Sequence, residues 1–207
     1  MTDLDARVRA ADFDRWASSR LVGDATVRAD LISLYAFEAE LEAIPAKVSQ
    51  PLLAEMRFTW WLDQMDGVFS GAPRKGHPVL ERLSAAVVRA ALDRSAFDRL
   101  IGAHIDRVHD RSVSPDDLYA APMRQAVRLL AGPGHDEHVR PVADVWMAYK
   151  LNTVPVSVVL RHQANAALRG LPVAAFPAVA HAALRSDREA EALKRLRLVG
   201  AALLGRI

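Results

Sequence analysis

Cysteine is absent from the 207 residues, which excludes a disulfide framework, thiolate metal ligands and a cysteine nucleophile, and fits a cytoplasmic setting. Charge of one sign is also lacking. Lys and Arg total 27 against 25 Asp and Glu, a formal +2, so no excess of base argues for nucleic acid, although arginine lifts the sequence pI to about 9.2. No apolar run approaches the roughly 20 residues that cross a bilayer. The opening MTDLDARVRAADFDRW has neither the basic start nor the apolar stretch of a signal peptide. These absences predict a soluble protein, or at most a peripheral one. No internal repeat occurs, and no serine sits in a Gly-x-Ser-x-Gly turn, so a hydrolase triad has no support.

What is present is a globular balance, 51% hydrophobic and 25% charged, in one domain over residues 1–207 with room for a sizeable core. Apolar residues recur at helical spacing, which predicts an all-α bundle of about eight or nine helices. The expected helices run over about 5–21, 25–46, 51–69, 78–92, 95–110, 114–131, 137–153, 155–169 and 187–204. Gly23 should close the first through a left-handed turn. Val27, Leu31, Leu34, Phe37, Leu41 and Ile44 should form one buried stripe on the second. Ser49 and Pro51, Ser95 and Asp98, and Ser114 to Asp117 read as start signals.

Two segments carry chemical information. In Leu34 to Ile44 three acids fall on alternate positions, so Glu38 and Glu42 share a helix face and Glu40 points elsewhere. Carboxylates one turn apart can clamp a divalent ion beside a phosphate, and the same spacing is common on solvated helices. In Glu55 to Asp63, Arg57 precedes Trp60 and Trp61 by one turn. The tryptophans suit a core or interface, and the arginine suits an acid of a neighbouring helix or an anionic ligand. Elsewhere Asp106 to Asp110 reads as a solvated helix end and His135 to His138 as a surface loop. Lys194 to Leu204, basic first and apolar after, reads as a closing helix with its stripe buried, and alternatively as a tail lying on an anionic membrane.

Tyr35-Ala36-Phe37, the acidic cluster, Arg57, Trp60-Trp61 and His77-Pro78-Val79-Leu80 together resemble the squalene and phytoene synthases, over roughly residues 15–160 and most clearly 31–83. The resemblance implies a shortened isoprenoid synthase-like bundle. In active members two aspartate-rich motifs on facing helices bind magnesium, which holds prenyl diphosphates. Here the first motif retains only Glu42, and the second, placed on Trp146-x-Ala148-x-x-Leu151, puts Ser157 and Arg161 where acids belong. Residues 36–44 and 56–61 are more similar to the phytoene-synthase-like assembly factor of respiratory complex I and its bacterial relatives. That likeness implies a non-catalytic binding or assembly factor with a protein or isoprenoid- or lipid-like partner. Glu38, Glu40, Glu42, Arg57 and Trp61 then line a remnant cavity, Arg57 faces the acids as counter-ion, and no metal or other cofactor is required. The alternative is a magnesium-dependent head-to-head prenyltransferase in which Glu38 and Glu42 form a displaced clamp.

Overall fold

Asp12 divides the first expected helix in two. Its carboxylate accepts the backbone N–H of Arg15 at 3.0 Å and caps a new helix, so the chain turns there instead of running on to Leu21. The computed structural model describes residues 3–151 and 156–207. Among the described residues it contains ten α-helices and no strand: α1 Asp3–Ala11, α2 Phe13–Ser19, α3 Ala25–Glu42, α4 Pro51–Ser70, α5 Pro78–Ala90, α6 Arg94–Val108, α7 Ala121–Ala131, α8 Asp136–Leu151, α9 Val158–Leu168 and α10 Glu191–Leu204. Short 3-10 turns lie at Pro45–Lys47, Val173–Ala178 and Ala180–Ala183. The split of the first helix accounts for the tenth. The expected helix ends at Thr153 and Pro155 lie outside the described residues.

Several local signals act differently from their sequence reading. Gly23 does not adopt a left-handed conformation; α2 ends at Ser19, and Asp24 opens α3 by accepting the N–H groups of Thr26 and Val27 at 2.7 and 2.9 Å. Gln50, not Ser49, precedes α4, and Pro51 supplies the fixed φ of its first turn. Asp93 caps α6 through Ser95 N–H at 3.0 Å, which leaves Asp98 to meet Arg94. At Ser114 the chain opens into a π-helical turn, Asp116–Ala120. Asp116 is drawn there into bonds with Arg124 at 2.7 Å and Arg140 at 2.8 Å, so it serves as an anchor between helices.

The core is organised around α3. Every residue from Leu31 to Glu38 is buried, so the mid-length of this helix is enclosed on all sides and not along one stripe, the behaviour of a central helix. α1 and α2 cover one flank, while α5, α6 and α7 cover others. Polar residues survive there because each is paired: Asp30, 2% exposed, takes Arg82 at 3.0 Å and Arg89 at 2.7 Å. Phe37 meets Trp61 and Phe97 at ring-centroid distances of 5.3 and 5.4 Å, and Trp61 meets His77 at 5.5 Å. The His77-Pro78-Val79-Leu80 segment is thereby structural. His77 caps α5, Pro78 starts it, and Val79 and Leu80 are buried. Beyond the Gly132 to Asp136 break the chain packs back on its first half: α2 touches both late 3-10 turns and α10.

Candidate functional site

Glu38 and Glu42 descend the same face of α3 and reach different depths. Glu38, 4% exposed, accepts Nη1 of Arg15 at 2.6 Å. Asp12 flanks the same guanidinium, Oδ2 to Nε 3.8 Å, and the charge also lies over the rings of Tyr35 and Trp146, 5.6 and 5.7 Å from their centroids. Lys150 of α8 stands 3.8 Å from Asp12. His181 meets the Trp146 ring edge-on at 4.4 Å. Elements distant in sequence, α2, α3, α8 and the turn at Ala180–Ala183, thus converge on one buried polar centre.

Charges in this centre are matched, but hydrogen bonds are not. Asp12 Oδ2, Tyr35 OH, Trp146 Nε1 and both ring nitrogens of His181 are buried without a hydrogen-bond partner among the described residues, a costly arrangement for polar atoms. Burial pushes the Glu38 carboxyl up to about 7; Arg15 pulls against this, and Glu42 and Asp12 push further. Burial opposes the Arg15 charge as well, but Glu38, Asp12 and Glu42 outweigh it and hold the guanidinium above its ordinary range. His181 is pushed down to about 3 by burial and then by Arg15, so it is neutral at pH 7.

Above this centre opens a cavity of about 640 Å³. The end of α3 and the loop to α4 form one wall; the end of α6, Tyr119 and the end of α8 form the others. Among the described residues its ionisable lining consists of one carboxylate, Glu42, two cations, Arg107 and Lys150, the phenol of Tyr119 and the imidazole of His104. Burial, then Arg107, pushes His104 down to about 4, so it adds no charge at pH 7. A narrow recess lined by Glu38, Glu42, Leu100, His104, Arg107 and Tyr119, among others, leads inward. This space suits an anion with an apolar portion: Arg107 and Lys150 line it, the latter also 3.8 Å from Asp12, and Val48, Ala54 and Leu151 supply hydrocarbon.

The remaining expected site residues are dispersed. Glu40 points to the opposite side of α3, as its spacing requires, and pairs with Arg7 of α1 while lying 3.9 Å from Lys47. Trp61, 4% exposed, belongs to the aromatic core and does not line the cavity. Arg57 is exposed on α4 and forms no ion pair among the described residues. The inward face of α4 is Ala54, Phe58, Trp61, Met65 and Val68, and this periodicity turns position 57 outward. The counter-ion of Glu38 is therefore Arg15 and not Arg57. Ser157 caps α9 by accepting Leu160 N–H at 3.1 Å, and Arg161 is buried against the carbonyls of Ala182 and Leu184 at 3.4 and 3.3 Å. Neither lines the cavity. Sequence reasoning missed Asp12, Arg15, His104, Arg107, Lys150 and His181. The three-residue spacings Asp12–Arg15 and Tyr35–Glu38 were the only local signals, and neither says which helices meet.

The family model for squalene/phytoene synthase matches residues 8–132, from within α1 to the end of α7. The chain belongs to the squalene/phytoene synthase family. Its all-α, isoprenoid synthase-like fold follows from that membership and from the helical bundle described above. No curated protein and no solved structure matches the chain. The match takes in Arg15, Glu38, Glu42, His104 and Arg107 and stops short of Trp146, Lys150 and His181. A magnesium clamp of the kind used by the family's synthases requires acids converging from facing helices. The residues here do not fit one. Glu38 is spent on Arg15, Lys150 and Arg107 line the same cavity as Glu42, and no group of three His, Asp or Glu converges among the described residues.

Proposed function

We propose that this member of the squalene/phytoene synthase family works by binding and not by prenyl transfer, and that its cavity receives an anionic, isoprenoid- or lipid-like molecule. One observation carries the reading: where the synthase reaction needs two facing sets of carboxylates, the cavity is lined among the described residues by a single carboxylate, Glu42, together with Arg107 and Lys150. Such a site attracts a phosphate or carboxylate directly, without a metal between them. The likeness of residues 36–44 and 56–61 to the phytoene-synthase-like assembly factor supports a role in assembling respiratory complex I, with the protein acting at the inner face of the cytoplasmic membrane.

The test is incubation of the pure chain with farnesyl and geranylgeranyl diphosphate and Mg²⁺, with diphosphate release as the readout. Release stays at the protein-free background. A non-hydrolysable prenyl diphosphate binds equally well with and without Mg²⁺, and Lys150→Glu weakens it about tenfold, the loss of one close charge pair and its replacement by a repulsive one. Magnesium-dependent turnover that disappears in Glu42→Ala would overturn the proposal in favour of a prenyltransferase.

A further inference from the structure

The final helix is rotated in the sense opposite to that expected of a closing helix. Lys194, Leu198 and Ala201, at positions i, i+4 and i+7, face inward. The Lys194 ammonium donates to Asp14 at 2.7 Å, and Asp14 also accepts the hydroxyl of Tyr149 at 2.6 Å. This buried ion pair fixes the rotation of α10 and turns its leucines to the outside. Leu193, Leu196, Val199, Leu203 and Leu204 are all exposed, Leu196 by 68% and Leu203 by 83%. At about 100° per residue these five positions fill one sector of about 140°. Arg195 borders the sector beside Val199, and Arg197 borders it beside Leu204 and Leu193.

A groove of about 390 Å³ continues this face towards α2, lined by Trp16, Leu21, Leu198 and Val199 with Arg20 and Arg195 at its edges. The guanidiniums of Arg9, Arg20 and Arg195 lie 5.2, 4.8 and 5.7 Å from the Trp16 ring centroid. Asp5, Glu189 and Glu191 pair with Arg20, Arg197, Arg9 and Arg195. Four arginines thus stand against three acids beside the leucine face, and Arg206 follows two residues beyond the helix end.

We propose that the outer face of α10, together with the Trp16 groove, docks on a phospholipid surface carrying net negative charge. Leucines entering the acyl boundary, arginines on both edges reaching the headgroups and a half-buried tryptophan in the adjoining groove form the pattern of a helix lying in a membrane interface. The surplus of arginine favours anionic lipid over zwitterionic lipid. This inference shares only the membrane location with the proposed function, and no residue lines both this face and the cavity.

Flotation of the full chain with vesicles tests it. The chain floats with equal mixtures of phosphatidylglycerol and phosphatidylcholine at low salt and about tenfold less with phosphatidylcholine alone. Leu196→Asp with Leu203→Asp reduces binding to the mixed vesicles at least about tenfold. Arg195→Glu with Arg197→Glu removes the preference for anionic lipid. Val158→Asp, at an exposed apolar position of α9 (85% exposed), leaves flotation unchanged. Arg197 is half-buried and the other substituted side chains are exposed, and circular dichroism verifies that each variant is folded. The inference is overturned if the wild type does not float, if the leucine variant floats as well as the wild type, or if sedimentation shows a dimer that Leu196→Asp dissociates, which would make a second copy the occupant. Flotation combined with prenyl diphosphate turnover would overturn the binding reading of the cavity and leave this one standing.

Discussion

Glu38 and Glu42 stand one turn apart on α3, carry the same side chain and share a face, yet one is sealed against Arg15 and the other borders an open cavity. Depth and the nearest cation make the difference. Glu38 is buried against Arg15 of α2, so its charge depends on a guanidinium that is itself buried, and burial still holds its carboxyl up to about 7. Glu42 lies beyond that closure and remains hydrated. The lesson for this family member is that a carboxylate spacing which would serve a metal in one bundle serves a structural ion pair in another, once a cation enters from a neighbouring helix.

The strongest way to break that contrast is Arg15→Ala. It leaves Glu38 buried without a counter-charge, and chemical denaturation should show a loss of about 3–5 kcal/mol, the usual penalty for orphaning one member of a buried pair. Replacing both partners, Arg15→Met with Glu38→Leu, should restore most of the stability, because no uncompensated charge then remains. Equal losses in the single and double variants would refute the ion-pair account and point to packing against Tyr35 and Trp146.

Much of the fold was legible in the sequence, because helical periodicity and Gly/Pro breaks are local. The nine expected segments correspond to observed helices, and the largest differences fall at Asp12, where one capping carboxylate divides a helix, and at Ser114, where arginines from two other helices capture Asp116. The site was less legible. Glu38 and Glu42 stood out through their spacing, and their common recess agrees with it. Arg15 carried no mark of its role, since an arginine on a short helix is ordinarily solvated and only tertiary closure buries it. Arg57 attracted attention beside two tryptophans, but the periodicity of Phe58, Trp61 and Met65 already turned it outward. The rotation of α10 was hidden for a related reason: a lone lysine reads as the polar face until a buried Asp14 is placed opposite it.

A second test concerns the imidazoles beside the two carboxylates. Burial lowers His181, next to the Glu38 centre, to about 3 and His104, in the cavity wall, to about 4. Both are neutral in the folded chain, whereas the unfolded chain takes up protons near the ordinary value of 6.5. Their contribution is present above that value and lost as pH falls towards the folded values. Between about pH 7.5 and about pH 5 each should remove about 2 kcal/mol. Glu38 acts in the opposite sense: raised to about 7, it holds a proton that the unfolded carboxylate has released, and returns about 2 kcal/mol over the same range. The wild type should therefore lose a net amount of about 2 kcal/mol on acidification, and His104→Leu, which keeps the stacking volume against Phe58, should be nearly flat. A steep acid loss retained in His104→Leu would show that this imidazole titrates freely in the fold.

Glu42→Gln should have the smallest effect on stability and is the most selective probe of the contrast. The side chain is exposed and forms no ion pair among the described residues, so denaturation should change by no more than about 0.5 kcal/mol. Binding should respond instead. Among the described residues Glu42 is the one carboxylate lining a cavity that Arg107 and Lys150 also line. Neutralising it removes repulsion from an incoming anion, and affinity for a non-hydrolysable prenyl diphosphate without metal should rise about threefold to fivefold, the size of one charge interaction several ångströms away at a hydrated surface. If Glu42 instead gripped the ligand through a cation, the same substitution would weaken binding and the weakening would require added Mg²⁺. The sign of a single affinity change therefore separates a carboxylate that merely borders an anion site from one that builds a metal site.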